Sequence, residues 1–266
     1  MNKLKSAMLA FIVLLTVGCS TVPITGRRQL SLVSDQEVIA MSFQAYDEVL
    51  KQSKLSTNAA QTAMVKRVGQ RIQGAVERYM AQNGYSAQLE GYQWEFNLIQ
   101  DDKQQNAFAM AGGKTAVYTG ILPITKDEAG LAVVMGHEIA HAIAKHSNER
   151  ISQQMAQQYG GAALGAVVGG RSGAAQEIAN TVYGIGTGVG LLKYGRDQES
   201  EADQLGLIFM AMAGYNPEVA ISFWQRMAAG GGSGTPEFLS THPSNDTRIS
   251  NIQKHMPEAK KYYNAR

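Results

Sequence analysis

The 266-residue sequence has a single cysteine, so no disulfide within the chain can staple it, and stability has to come from a packed core, which a chain of this length can bury. Charge of one sign is lacking as well. The 24 Lys and Arg against 22 Asp and Glu leave a net charge of +2, with no clustered basic stripe, and nucleic-acid binding is set aside on that ground. Long apolar runs are missing beyond the amino-terminus. The Gly- and Ala-rich stretch at 160–192 is broken by Arg171, Glu177 and Asn180, and its clean runs fall short of the about 20 residues of a helical span. Tightly packed or mobile helices shielding an active site are expected there instead.

What is present begins with a leader. Lys3 and Lys5 precede the run "AMLAFIVLLTVG", too short to span a membrane and of the right length for a secretory signal, so 1–18 read as a signal peptide. The run ends at Gly18-Cys19 and resembles a bacterial lipobox, with Thr16 where leucine is commoner. Acylation would use up the lone thiol of Cys19. Residues 19–33 are then expected to be a lipidated cysteine and its tether. Ser20, where an aspartate would favour the inner membrane, directs the expected location to the periplasm, lipid-anchored to the outer membrane.

From residue 34 the pattern turns helical. Ser34 and Glu37 form a capping box before a stripe of Val38, Met41, Ala45 and Leu50, and a second helix is expected from about Asn58 to Ala81. Between 92 and 122 the period changes to two, with "YQWEFNLI" as a strand and "AFAM" and "TAVYTGIL" as a hairpin or bulged edge around Ala111-Gly112-Gly113. Thr125 and Glu128 read as a further capping box opening the helix that contains "MGHEIAHAIAKH". The fold class is therefore α+β, mostly helical, with a small mixed sheet.

That helix carries the chemistry. His137 and His141, four apart, share one helix face and can bind one Zn²⁺, while the Glu138 carboxylate beside them can take a proton from the attacking water. A zinc hydrolase needs a third protein ligand, and "GRDQESEADQLG" supplies acidic candidates at the start of another helix.

In combination, HEIAH and ESEAD resemble the HExxH and ExxxD pair of gluzincin metallopeptidases, and more narrowly the HtpX-like family related to the CAAX prenyl endopeptidases. "NAFAMAGG" at 106–113, "YGRDQESEAD" at 194–203 and "THPSNDTRI" at 241–249 agree with it, across 34–256. The resemblance implies a zincin-like domain at 34–266, with amino-terminal helices at 34–83, a catalytic core at 84–256 and a tail at 257–266. It implies one Zn²⁺ per chain held by His137, His141 and Glu199, with Glu138 as general base and acid. It also implies an edge strand at Asn106, Ala107, Phe108, Ala109 and Met110 for an extended substrate, His242 as oxyanion donor or fourth ligand, and Arg248 holding that loop or contacting substrate. Helical spacing agrees with Glu199: Asp203 lies one turn on, where it can orient a ligand histidine, whereas Glu201 points away to an expected solvated face. His146, two and a half turns beyond His137, is expected to face elsewhere and be structural. The expected function is a zinc-dependent endopeptidase of envelope proteins in quality control, with an envelope assembly or chaperone partner. A chaperone-like zinc module without proteolysis is the alternative, which the presence of Glu138 disfavours.

Overall fold

The computed structural model describes residues 19–22, 25–168, 178, 194–229, 238–239, 242 and 246–263. The expected signal peptide, most of the Gly- and Ala-rich stretch and the end of the tail lie outside the described residues.

Residues 19–33 are not a free tether. Strands β1 (Cys19–Thr21) and β2 (Arg28–Leu30) pair antiparallel, Val22 enters the main core, and the Leu32 N–H donates to Ser152 Oγ at 2.8 Å. The reason is local chemistry: Val22 and Gln29 are buried, which a solvated linker would not tolerate.

Helix α1 (Asp35–Gln52) starts on the expected capping box of Ser34 and Glu37, and α2 (Ala59–Gln82) starts on Asn58, whose side chain accepts from the Gln61 N–H. One face of α2, with Val65, Val68, Ile72 and Val76, is buried in the core. The sheet contains β3 (Glu95–Ile99), β4 (Ala107–Met110) and β5 (Lys114–Tyr118) in the order β3-β5-β4, with β3 parallel and β4 antiparallel to the central strand. Strand β4 is thus an edge. Its turn into β5 uses Gly112 and Gly113 at φ 82° and 88°, where a side chain would be strained.

The short helix α3 (Leu122–Thr125) precedes the HEIAH helix α4 (Glu128–Ile143). The expected capping box does not form, because Thr125 is still helical and its hydroxyl donates to Leu122 O. Asp127 is the N-cap instead, accepting from the Gly130 N–H. Every residue from Gly130 to Ile143 is buried, so α4 is the central rod and not an amphipathic surface helix. Around it lie α5 (His146–Val168), α6 (Arg196–Met212), α7 (Val219–Ala228) and α8 (Asp246–Lys261).

Helices α4 and α6 touch backbone to backbone. A Cβ built on Gly206 would stand 2.9 Å from His137 N and 3.0 Å from the carbonyl carbon of Gly136, closer than packing permits. Gly206→Ala should therefore cost about 1–3 kcal/mol and lower the melting temperature. Gly74→Ala in α2, where a Cβ would meet only the flexible end of Arg78, should be neutral or stabilising. Thermal denaturation of the two variants checks the contrast.

Candidate metal centre and active site

The Gly136–Gly206 crossing brings the two acidic and histidine motifs together. His137, His141, Glu199 and His242 are all buried, and one donor atom from each lies within 4.8 Å of the others. His137 Nε2 is 3.0 Å from His141 Nε2 and 3.6 Å from Glu199 Oε2, and His141 Nε2 is 3.4 Å from Glu199 Oε1. His242 Nδ1 stands 2.9 Å from Glu199 Oε1 and 3.2 Å from His137 Nε2. Four donors about 2.0–2.1 Å from a tetrahedral zinc lie about 3.3 Å from one another, so this group has the size for that ion.

Charge points the same way. Glu138, Glu199 and Asp203 are buried within this site, and the cation among them is Arg248, which is itself buried. Among the described residues, one arginine against three carboxylates leaves a deficit that a dication would offset. Burial pushes Glu138 up to about 7, with Glu199 adding to the rise and His242 opposing it. Burial likewise holds His141 well below the usual histidine range, which keeps it neutral and able to coordinate. Glu199 goes the other way: burial alone would raise it, but the imidazoles of His242, His137 and His141 hold it well below the carboxylate range.

Glu138 stands outside the donor group, 3.5 Å from His242 Nε2, with the backbone N–H of Ala109 on edge strand β4 directed to it. Asn106 and Ala107 to Met110 are all buried, and the Phe238 N–H donates to Gln105 O just before them. Asp203 Oδ1 is 3.0 Å from His137 Nδ1, as expected of a carboxylate orienting that ring. The Arg248 guanidinium reaches Glu199 Oε2 at 2.9 Å and Asp203 Oδ1 at 2.6 Å, lies 3.4 Å over the Trp224 ring, and contacts the expected loop at His242 O at 3.5 Å. Two buried carboxylates hold it against the donor group.

Two further expectations fail, each for its own reason. Glu201 is buried and not solvated, because Thr25, Arg27 and His146 converge on its carboxylate. His146 does not face away: its Nδ1 lies 2.7 Å from His141 Nδ1, because α4 ends at Ile143, Lys145 takes φ 59° and α5 restarts at His146, which turns that ring back on His141. Tyr194, stacked 3.9 Å from the His141 ring, and Trp224 were not singled out; Tyr194 opens the quoted "YGRDQESEAD" stretch, and Trp224 offers no signal beyond being one of two tryptophans.

A mostly helical domain with a small mixed sheet, an HExxH helix and a buried glutamate brought beside it by a crossing helix is a zincin-like metallopeptidase domain. The family model described as Peptidase family M48 matches residues 66–256, and this chain belongs to that family of zinc metalloendopeptidases. It is 35% identical over 243 residues to mitochondrial metalloendopeptidase OMA1 of Schizosaccharomyces pombe, covering 90% of this chain and 66% of the relative. To the Saccharomyces cerevisiae protein of the same name it is 30% identical, covering 95% and 76%. To metalloendopeptidase OMA1 of Homo sapiens it is 28% identical, covering 97% of this chain and half of the relative. These names correct the expected location: relatives at 28–35% identity are mitochondrial, which overturns the periplasmic, outer-membrane placement read from the leader. The lipobox resemblance rested on a few residues, whereas these alignments span most of the chain. No helix among the described residues is long and apolar enough to cross a membrane.

Arg248→Met should destabilise chelator-treated protein by about 3–5 kcal/mol, because it strips the cation from Glu199 and Asp203 in the interior. Arg248→Lys, which keeps charge without the two-pronged geometry, should fall between. Chemical denaturation of the three proteins measures it.

Proposed function

We propose that this chain cleaves internal peptide bonds of protein substrates, with His137, His141 and Glu199 as zinc ligands and Glu138 as the proton carrier. The observation that carries this reading is the position of Glu138: buried beside the donor group yet not part of it. A purely structural zinc site has no use for such a carboxylate. When bound, zinc supplies a Lewis acid that polarises the scissile carbonyl and makes the attacking water more acidic. Glu138 accepts the proton of that water and passes it to the leaving nitrogen, a two-way transfer suited to a carboxyl whose affinity for protons burial has brought near neutrality. Asp203 keeps the proton of His137 on Nδ1 and so presents Nε2 to the metal.

The substrate would lie extended along the outer edge of β4, where backbone N–H and C=O groups read main chain and place few demands on side chains. The Ala109–Glu138 contact supports this by joining that strand to the proton carrier. Low sequence preference suits an enzyme of protein quality control, acting on segments that have lost their fold. For His242 the geometry favours the fourth-ligand reading, since its Nδ1 belongs to the donor group and its ring stacks 4.6 Å from Phe238.

Glu138→Gln should keep its zinc and its melting temperature while losing nearly all cleavage of an unfolded substrate such as casein; normal cleavage would sink the mechanism. His242→Ala should cleave faster than the unaltered protein if that ring closes the fourth position. A fall of about a hundredfold would assign it to the oxyanion instead.

A further inference from the structure

Behind His141 a second polar cluster, unused by the mechanism above, runs away from the metal group towards the amino-terminal hairpin. His146 Nε2 lies 2.9 Å from Glu201 Oε2. Arg27, just before β2, donates from Nε to the same Glu201 oxygen at 2.8 Å and from its two terminal nitrogens to both oxygens of Glu149 at 2.8 Å. Thr25 also donates to Glu201, and Gln198 donates to Glu149 at 2.7 Å. His146 is wholly buried, and Glu201 and Glu149 are nearly so.

The protons of this chain of groups can be placed by elimination. His141 turns Nε2 into the metal group, so that nitrogen must be bare and Nδ1 carries the proton. Its Nδ1–H then donates to His146 Nδ1 at 2.7 Å, which leaves His146 protonated on Nε2 and donating to Glu201. Each of the two imidazoles thus donates its one proton to one acceptor. The arrangement is a carboxylate–histidine–ligand triad lengthened by one imidazole, with its far end held by an arginine from a different part of the chain.

We propose that His146, Glu201 and Arg27 are positioning residues for the metal ligand His141, so that docking of the amino-terminal hairpin sets how tightly the site holds zinc. The inference rests on the zinc-site reading above. A segment 174 residues from Glu201 in sequence thereby acts on the metal without touching it. Displacing or clipping the hairpin releases Glu201, frees the His146 ring to turn and lets His141 lose its fixed tautomer. Zinc affinity falls as a result.

The test uses the full chain, with zinc affinity read by chelator competition and ligand geometry read from the visible absorption of the cobalt-substituted protein. His146→Leu, which offers His141 no acceptor, should weaken zinc binding by about ten- to a hundredfold and alter the cobalt spectrum. His146→Gln, whose amide can accept from one side and donate to the other, should restore most of both. Arg27→Gln should weaken binding in the same direction, and the double variant Arg27→Gln/His146→Leu should bind no worse than His146→Leu alone, since both act through one path. Unchanged affinity and spectrum in His146→Leu, or additive losses in the double variant, would overturn the proposal. His137→Ala separates the two readings: if it keeps stoichiometric zinc, the metal site itself is misassigned, whereas if it loses zinc while His146→Leu binds normally, only the relay fails.

Discussion

The contact between Gly136 and Gly206 is the constraint on which the site depends. Helix α4 supplies His137, Glu138 and His141, and α6 supplies Glu199 and Asp203, each from within two turns of the crossing. Because neither glycine has a side chain, the backbones meet and the Glu199 carboxylate comes within 3.4–3.6 Å of both imidazoles. Glycine inside a helix weakens it, by about 1 kcal/mol relative to alanine. Here that cost is offset by the close approach it allows and by burial of α4 on all sides.

Bringing so many acidic groups into an apolar interior would be prohibitive without compensation. The structure handles it in two adjoining clusters. At the four-donor group, Arg248 bridges Glu199 and Asp203 while lying over Trp224. Behind His141, Arg27 bridges Glu149 and Glu201. The two are joined through the His141–His146 contact, so the ring that faces the metal is also the ring through which the outer cluster is felt.

Much of the site was legible because its information is local. The i, i+4 histidines, the i, i+4 pair Glu199 and Asp203, the alternating strands and the Ser34 capping box all follow from one turn of helix or one step of strand. Reading failed where the chain broke its own period. Lys145, with its left-handed backbone, ends the register that placed His146 away from the metal, and Thr125 lost its capping role because a short helix α3 precedes α4. The leader misled in a different way: a resemblance confined to a few residues assigned a location that relatives aligned along most of the chain correct.

By itself, then, the sequence determined that His137 and His141 share one helix face and that Glu199 and Asp203 share another, since residues four apart on a helix must do so whatever else the chain does. Only the tertiary structure decided which groups support them. The partners of Glu201 lie 55 and 174 residues away, and Arg248 reaches Asp203 across 45. No periodicity links positions so far apart. They are joined by the packing of α4 against α6 and of the amino-terminal hairpin against both α5 and α6, and that packing turned an expected solvated glutamate and an expected bystander histidine into the outer part of the site.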